Sequence, residues 1–458
     1  MADATRNDHV GWSAQLKRGP DSSPRTVESA DVGPEAARKE EAMAEEVQRW
    51  LKEAALPLKN LNPGASEPCH GDLEPLREVL RDVRVLGMGE ATHGTAEFFR
   101  LKHLLLRFLV EEMGFTALAM EASVSAAQAV DDYVLHGTGG AAEALAGLGF
   151  WTWRTREMLD VVEWMRDHNR TVPQDRAVRF VGIDPQRCGP SLETLAAMLR
   201  TLAPERADVT GGLLGTLAEA RTGSLVAKRP QLLAEAHDLE RFLQEERPRL
   251  ASRFGDTAVD DALRHARLIV AAADVASRTP RGEGEEGGAL AARDRHMAQA
   301  VISLEERTAG NIAVWAHNGH ICTDRYARDI PAMGQHLRKH YGERYYALGL
   351  LFGEGAFRAR PGISAKRPPR KHTISAAGPR SVETQLASAT SEDHLIDLRA
   401  GRARPAVAQW LASPQFMRSF GAGVPRLTYR FSMTPTVLTH EYDGLAYVAR
   451  STPSALLG

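Results

Sequence analysis

The residues best suited to catalysis lie in a short segment, residues 89–94, that reads Gly-Glu-Ala-Thr-His-Gly and places Glu90 three positions before His93. A histidine beside a carboxylate exchanges protons near neutral pH, so His93 is a candidate general base whose tautomer Glu90 could fix. In the alternative interpretation, Thr92 caps a helix and His93 merely lies in the cap. The glycines at both ends weaken this alternative, because they indicate tight turns or close approach of a ligand.

Other ionisable residues follow three further predicted strands, namely Glu121, Asp184, and the pair His317 and His320. The carboxyl ends of parallel strands share one edge of a sheet, and ligands bind in the crevice there. Each residue alone is also compatible with a capping or solvated side chain. As a set they predict a pocket in which Glu121 supports the base, with Asp184 and His320 as candidate substrate contacts. His317 or His320 would polarise a carbonyl or protonate a leaving alkoxide.

The aromatic stretch 150–153, Phe-Trp-Thr-Trp, follows a glycine-rich segment. Two tryptophans in a loop are typical of a wall for an apolar or glycosidic ligand, so Trp153 is a candidate substrate contact. Alternatively, the rings close the core beneath the loop. Cys322, two residues after His320, is a candidate nucleophile or, alternatively, a small buried hydrophobic residue.

A metal centre is an alternative, because carboxylates and imidazoles in this number would suit zinc. The sequence has no HExxH motif, and the ExxH spacing of Glu90 and His93 has no second copy. We therefore expect catalysis without a metal or cofactor, with a zinc-dependent hydrolase as the alternative. Motifs for a serine hydrolase (GxSxG), a phosphate-binding loop and a dinucleotide-binding loop are also absent.

The composition is that of an ordinary globular protein, with 43% hydrophobic and 25% charged residues among 458. A formal net charge of −2 gives no global attraction to nucleic acid or membrane surfaces, so we expect neither as a partner. The expected partner is a small-molecule substrate in the predicted pocket. Three widely spaced cysteines without a CxxC pair fit a reducing compartment. Neither a membrane-length apolar run nor a signal peptide is visible, so we expect a cytoplasmic protein. The oligomeric state stays open.

Apolar periodicity predicts an α/β fold: a mostly parallel sheet flanked by helices, with an inserted helical subdomain at about residues 203–280. Residues 1–42 are polar and rich in charge, which predicts a disordered tail before a single domain of residues 43–458. Residues 279–289 and 361–380 are predicted loops. The predicted strands are residues 83–89, 116–120, 177–183, 311–316, 345–352, 394–398 and 445–449.

Several of these segments, in this order, resemble the erythromycin esterase family. The resemblance spans roughly residues 70–455 and rests on residues 89–94, 97–102, 121, 293–294, 297–298, 315–320, 349–357, 443–447 and 452–453. It implies an α/β fold and a metal-free reaction in which His93 activates water against a macrolactone ester, as in the macrolide-resistant members. It also implies supporting roles for Glu90, Glu121 and His317. A basic residue on the following helix matters there: Lys102 lies where those members have arginine, and Arg100 is close by, so both are candidate substrate contacts.

A second departure from the macrolide esterases is Gly94, because they tend to have phenylalanine after the motif histidine. Many relatives with glycine are labelled for succinoglycan biosynthesis, so the difference weakens the expectation of a macrolide substrate. The sequence therefore favours a hydrolase of an ester or lactone. A lyase or transferase of natural-product or polysaccharide biosynthesis, with the same base, is the alternative, and a binding module without turnover is a third.

Overall fold

The structure is a computed structural model that describes residues 34–63, 71–282, 287–308, 310–326, 329–362 and 367–458. Most of the predicted disordered tail, Cys69, and parts of the two predicted loops lie outside these residues. The first described helix already begins at Pro34, earlier than the expected start of the folded chain at residue 43. The division into a tail and one domain stays a prediction.

The described helices are, in chain order, α1 (Pro34–Ala54), α2 (Leu76–Val79), α3 (Ala96–Met113), α4 (Gln128–His136), α5 (Ala141–Gly147), α6 (Arg156–Asn169), α7 (Gly189–Leu202), α8 (Arg229–Glu245), α9 (Arg247–Phe254), α10 (Asp256–Ser277), α11 (Ala289–Glu305), α12 (Asn318–Ile321), α13 (Met333–Tyr341), α14 (Val382–Ala389), α15 (Pro405–Ala412) and α16 (Leu438–Glu441). Short 3-10 helices lie between them, including Trp151–Trp153 and Tyr429–Phe431.

The described strands are β1 (Leu56–Pro57), β2 (Val85–Met88), β3 (Phe115–Ser123), β4 (Arg179–Asp184), β5 (Asn311–Trp315), β6 (Arg325–Tyr326), β7 (Ile330–Pro331), β8 (Tyr345–Pro361), β9 (Arg370–Ile374), β10 (His394–Asp397), β11 (Gln415–Arg418), β12 (Gly423–Val424), β13 (Met433–Thr436) and β14 (Gly444–Ser451). Ten of these described strands form a mostly parallel central sheet with flanking helices, which confirms the predicted α/β class, while β6 with β7 and β11 with β13 form two-stranded sheets.

Two compact units are distinguishable in the chain. The first takes its described residues from Met1–Arg81, Met88–Leu105 and Tyr346–Ser454. In it, β14 runs parallel to β8 and antiparallel to β10, and β10 pairs antiparallel with β1. The pairing of Leu56 with Leu395 shows how far along the chain the partners of this unit lie.

The second unit consists of Asp82–Gly87, Leu106–Tyr345 and Ala455–Gly458. In it, β3 pairs in parallel with both β4 and β5. Apart from the half-buried Thr116, every residue of β3 is buried, because helices cover both faces of a parallel sheet. The continuous apolar run at residues 117–120 is typical of such a strand, and the predicted strand was in the right place.

Helices dominate the predicted insertion. Helices α7, α8 and α10 share one apolar core that includes Leu195, Leu239 and Ile269. This agrees with the helical periodicity in the sequence, while the status of the segment as a separate subdomain stays a prediction.

The predicted loop at residues 361–380 is wrong in part, because β9 lies within it. Residues 370–374 pair antiparallel with residues 355–359 of β8, which itself continues to Pro361. Four of the five β9 side chains are half-buried or exposed, and three are basic or histidine. A polar strand of this kind lacks the apolar alternation by which strands are recognised. Among the described residues, no helix combines the length and the apolar character needed to cross a membrane.

Candidate active site

The segment that carries His93 continues along β8 after β2 has ended. The backbone N–H groups of Gly89 and Ala91 donate to the carbonyls of Leu348 and Leu350, at 2.8 and 3.1 Å. These hydrogen bonds hold the segment in the core of the first unit, and Glu90 between them is fully buried. The local sequence thus places a carboxylate where water cannot solvate it, which requires other charges to stabilise it.

Two side chains provide that stabilisation. One carboxylate oxygen of Glu90, Oε1, lies 2.6 Å from Nδ1 of His93, and the other, Oε2, accepts from the ammonium of Lys102 at 2.6 Å. The His93 side chain is 10% exposed. Since an ionised carboxylate can only accept, Nδ1 of His93 carries the proton, and Nε2 is the basic nitrogen of the neutral ring. Glu90 therefore fixes the tautomer that a general base needs.

The ionisation of Glu90 follows from a balance of opposing effects. Burial raises the pKa of the carboxyl group, but the charge of Lys102 and the hydrogen bonds from His93 and Lys102 lower it by more. The net pKa lies below the usual value for glutamate. Glu90 is thus a carboxylate at neutral pH and can stabilise the positive charge that His93 gains when it takes up a proton.

Lys102 and Arg100 differ in where they lie. Lys102 is fully buried against Glu90, whereas the Arg100 side chain is 49% exposed and pairs with Glu97 at 4.0 Å. The sequence left open whether Arg100 or Lys102 lies at the site. In the structure, Lys102 contacts Glu90. The predicted substrate contacts of both residues stay predictions.

Gly94 lies against backbone. A Cβ atom at this position would lie 1.9 Å from the carbonyl oxygen of Arg358, whose N–H donates to the Gly94 carbonyl at 2.9 Å. The N–H of Ser454 donates to the same carbonyl at 3.0 Å. The glycine after the motif histidine therefore has a packing reason in this chain, since a larger residue would require β8 to move.

A second buried cluster lies in the other unit and is centred on Arg293 of α11. Its Nη2 donates to Glu121 Oε1 and to Asp184 Oδ2, each at 2.8 Å, and its Nη1 lies 2.9 Å from Nε2 of His320. Burial lowers the pKa of Arg293, but the carboxylates of Asp184 and Glu121 raise it well above the usual value. A permanent cation thus compensates two strand-end acids.

His320 lies between Arg293 and Asp294. Its Nδ1 is 2.8 Å from Asp294 Oδ1, and its Nε2 is 3.2 Å from Glu121 Oε1. Burial lowers the pKa of His320, but the carboxylates of Asp294 and Glu121 more than offset this and raise it to about 9. The protonated ring donates to both acids, while the neutral ring accepts from Arg293 at Nε2. Both ring nitrogens thus have protein partners.

Asp294 has further partners. Tyr326 donates its hydroxyl to Oδ2 at 2.7 Å, and the N–H of Met333 donates to Oδ1 at 2.8 Å. From the sequence, Arg293 and Asp294 were named only as part of the family resemblance, and Tyr326 was not identified as a site residue. The sequence did contain a signal for Arg293 and Asp294. They are charged residues that follow two alanines and precede Met297 on the segment that forms α11, and a charge on an apolar helix face is informative.

His317 caps the N-terminus of α12. Its Nδ1 accepts from the N–H of Gly319 at 3.2 Å, and its own N–H donates to Glu121 Oε2 at 3.0 Å. Residues 318–319, whose Asn-Gly sequence is typical of a turn, are the first residues of this short helix. Trp153 is buried in its 3-10 helix, and Cys322 is buried as well.

The predicted site residues thus fall into two clusters. The structure brings Glu90, His93 and Lys102 together in one unit, and Glu121, Asp184, His317 and His320 together in the other. Glu90 contacts His93, and both carboxylate oxygens of Glu121 accept hydrogen bonds within their own cluster. The predicted support of His93 by Glu121 stays a prediction, as does substrate contact by Trp153, Asp184 and His320.

Metal ligation is the remaining question about these groups. Within the part of the chain that the structure describes, no three His, Cys, Asp or Glu side chains are grouped as metal ligands would be. Glu90 binds an ammonium and Glu121 a guanidinium instead. The expectation of metal-free catalysis and its zinc alternative both stay predictions.

Comparison with known proteins adds the family. A model of the erythromycin esterase family matches residues 110–451, so Glu90, His93 and Lys102 precede the matched range. Erythromycin esterase type II of Escherichia coli is 26% identical over 334 residues, which cover 67% of this chain and 77% of the relative. A Bacillus cereus protein of solved structure is 25% identical with a TM-score of 0.76, over 91% of this chain and 99% of the other. A mutant erythromycin esterase in its open conformation shares the fold at 19% identity, with a TM-score of 0.67, over 88% and 99%.

Proposed function

The chain belongs to the erythromycin esterase family, and we propose that it hydrolyses a carboxylic ester or lactone with His93 as the general base. The observation that supports the proposal is the buried arrangement of Glu90, His93 and Lys102. It fixes the His93 tautomer, keeps its acid ionised and leaves Nε2 as the basic nitrogen. These are the properties that a base needs in order to activate water at neutral pH.

The proposed reaction has two proton transfers at one nitrogen. His93 Nε2 removes a proton from water while the water oxygen bonds to the ester carbonyl carbon. Glu90 stabilises the resulting imidazolium through Nδ1–H. The carbon–oxygen bond to the leaving alkoxide then breaks, and the imidazolium returns the proton to the alkoxide. The products are the acid and the alcohol, or one hydroxy acid from a lactone.

The second cluster is held together by its own ion pairs and hydrogen bonds. Arg293 compensates the charges of Glu121 and Asp184, and His320 is held by Asp294. We assign His320 a positioning role because both of its ring nitrogens contact protein groups. Because His93 returns the proton to the alkoxide in this proposal, His317 keeps only the other role inferred from the sequence, polarisation of the carbonyl.

Relatives named as erythromycin esterases make a macrolactone the first substrate to test. Gly94 was an argument against a macrolide substrate, because macrolide esterases tend to have phenylalanine there. The packing of Gly94 against β8 weakens this argument, since the backbone contact explains the glycine without reference to the substrate. A lyase or transferase that uses the same base is the alternative, and the fate of the solvent oxygen distinguishes the two.

The test is a screen of erythromycin and of simple esters in oxygen-18 water, read by mass spectrometry. We expect one solvent oxygen in the acid product and loss of turnover in His93→Ala. His237→Ala is the matched control, because its side chain is 58% exposed and lies against Glu240 in the helical region. Full turnover by His93→Ala contradicts the assigned base, and an unlabelled product contradicts hydrolysis.

A further inference from the structure

The loop between β12 and β13 has two large apolar side chains that are exposed to solvent. Leu427 is 88% exposed and Phe431 is 82% exposed, and they lie four positions apart on either side of Tyr429. Other large apolar side chains that are exposed in the described residues, such as Phe416 at 44%, are much better covered. We call Leu427 and Phe431 the apolar tip.

The base of the tip is fixed. Tyr429 is buried, and its hydroxyl donates to the carbonyl of Thr373 at 3.0 Å. The N–H of Phe431 donates to the carbonyl of Thr428 at 2.9 Å, which closes the turn. Arg430 adds a hydrogen bond from Nε to the Tyr429 hydroxyl at 3.3 Å. The exposed side chains therefore stand on a turn whose position is defined, rather than on a segment held only at its ends.

A series of aromatic contacts connects this turn with the catalytic segment of the same unit. The rings of Tyr429 and Phe357 meet edge to face with centroids 6.2 Å apart, and Phe357 stacks on Phe420 at 4.6 Å. The N–H of Phe420 donates to the carbonyl of Ala91 at 2.7 Å. Ala91 directly follows Glu90, so packed side chains and one hydrogen bond connect the base of the tip with the backbone that holds Glu90 and His93.

From this connection we infer that Leu427 and Phe431 determine specificity by covering the apolar part of an ester substrate bound at His93. The inference rests on the proposed function and names the feature of the substrate that the tip recognises: an extended hydrocarbon surface. Covering apolar surface is favourable in proportion to its area, so an ester with a long acyl chain gains from the tip and a short one does not.

The size of the tip favours a small ligand over a protein partner. Two such side chains expose roughly 300–400 Å² together. A stable protein interface needs about 800 Å² from each partner. The tip alone covers at most about half of that area, whereas it matches the surface of a bound hydrocarbon chain or ring.

The experiment compares para-nitrophenyl acetate with para-nitrophenyl decanoate on the double variant Leu427→Ser, Phe431→Ser. We expect the KM for the decanoate to rise about tenfold, the change that follows from losing contact with about two methylene groups. The kcat for both esters and the KM for the acetate should stay at wild-type values. Phe416→Ser is the matched control and should change neither ester.

The outcome that overturns the inference is a wild-type KM for the decanoate in the double variant, or an equal rise for both esters. A shifted sedimentation coefficient with an unaltered decanoate KM overturns it as well and assigns the tip to a second copy of the chain. Binding of the unreactive para-nitrophenyl decyl ether to His93→Ala, with and without the two serines, separates the inference from the proposed function. Tip-dependent binding without ester turnover supports the inference and contradicts the function, while tip-independent binding contradicts the inference even where turnover is found.

Discussion

The ammonium of Lys102 and the carboxylate of Glu90 form a fully buried ion pair, with 2.6 Å between Nζ and Oε2. The two oxygens of the Glu90 carboxylate have different partners. Oε2 is held by a charge that never reaches solvent, and Oε1 is left to orient His93. Two buried charges are costly to desolvate, and only their close contact offsets that cost. Removing one partner should therefore destabilise the fold much more than replacing both partners by apolar residues.

Substitution of Lys102 by methionine tests this dependence. Lys102→Met keeps the length of the side chain and leaves Glu90 buried without a counter-charge, so we expect a loss of about 3–5 kcal/mol in the free energy of unfolding at pH 7. Without Lys102, burial should raise the pKa of Glu90 above 4.5, and protonation then removes the unpaired charge, so the loss should already shrink as the pH falls from 7 towards 4.5. Urea denaturation across this pH range measures both effects.

The matched control for this substitution is Arg100→Met on the same helix. Its side chain is 49% exposed and its partner Glu97 is 4.0 Å away, so we expect a change within about 0.5 kcal/mol. Equal losses for the two variants would show that the buried pair has no special role.

Gly94 should tolerate no side chain. In Gly94→Ala the new Cβ meets the Arg358 carbonyl at 1.9 Å, and because that atom is backbone it cannot swing aside. We expect a loss of about 3 kcal/mol or more. Gly147→Ala is the control, because it lies in α5 with open space around the added atom, and alanine there should be neutral or stabilising by up to about 1 kcal/mol. Thermal unfolding of both variants decides the point, and an unchanged Tm for Gly94→Ala would contradict the close contact between Gly94 and the Arg358 backbone.

Glu383 presents the opposite case to Glu90. It is buried, its Oε1 accepts from the N–H of Arg418 at 2.6 Å, and its Oε2 has no hydrogen-bond partner among the described residues. Burial raises its pKa above 4.5, against weaker lowering by the Arg418 backbone and charge. Because the folded state holds the proton more tightly than the unfolded state, stability falls as the pH rises above 4.5 through the folded pKa.

Glu383→Gln should therefore stabilise the protein at pH 7, by about 1 kcal/mol, since it removes the charge and keeps the acceptor oxygen. The advantage over wild type should vanish below pH 4.5, where Glu383 is protonated in both states. Urea denaturation of the two proteins at several pH values measures it. A glutamine variant that is less stable at pH 7 would show that the carboxylate is better compensated than its contacts indicate.

The raised pKa of His320 predicts a loss of stability in the alkaline range. Its folded pKa of about 9 lies above the ordinary 6.5, so its contribution is complete below pH 6.5 and is lost as the pH rises through 9. Asp294→Asn removes the carboxylate that raises the pKa most, so it should flatten this part of the stability profile and cost at least about 1 kcal/mol below pH 6.5. Unfolding of wild type and variant across this pH range is the measurement, with His237→Gln as an exposed control. Parallel profiles for wild type and Asp294→Asn would contradict the assignment.

How much could be predicted from the sequence differs between the elements. The buried strands around residues 117–120 and 311–315 were recognisable because they are continuous apolar runs, and α3 because its periodicity ends at Gly114, which has a positive φ of 70°. The strands β9, β11 and β13 were not recognisable. They are short and partly polar, and their stability comes from partners elsewhere in the chain, such as the pairing of Phe357 with His372.

The candidate site shows the same division. Helical periodicity could have chosen Lys102, because it lies four positions after Phe98 and three before Leu105 on the buried face of α3, while Arg100 points the other way. The partner of Glu121 could not be found in this way. Arg293 is 172 positions further along the chain, and only the packing of α11 brings the two together.

The discontinuity of the first compact unit has a consequence for how the chain is synthesised. Strand β1 leaves the ribosome early, but its partner Leu395 emerges only after most of the chain has been translated. At a synthesis rate of about 5–20 residues per second, the early segment waits for on the order of tens of seconds. During that time α14, α15 and β10, which pack against α1 in the finished fold, are absent, and Trp50 and Leu51, which are buried there, lack this cover. The nascent chain therefore exposes the apolar surface of Trp50 and Leu51 until these later elements have been translated.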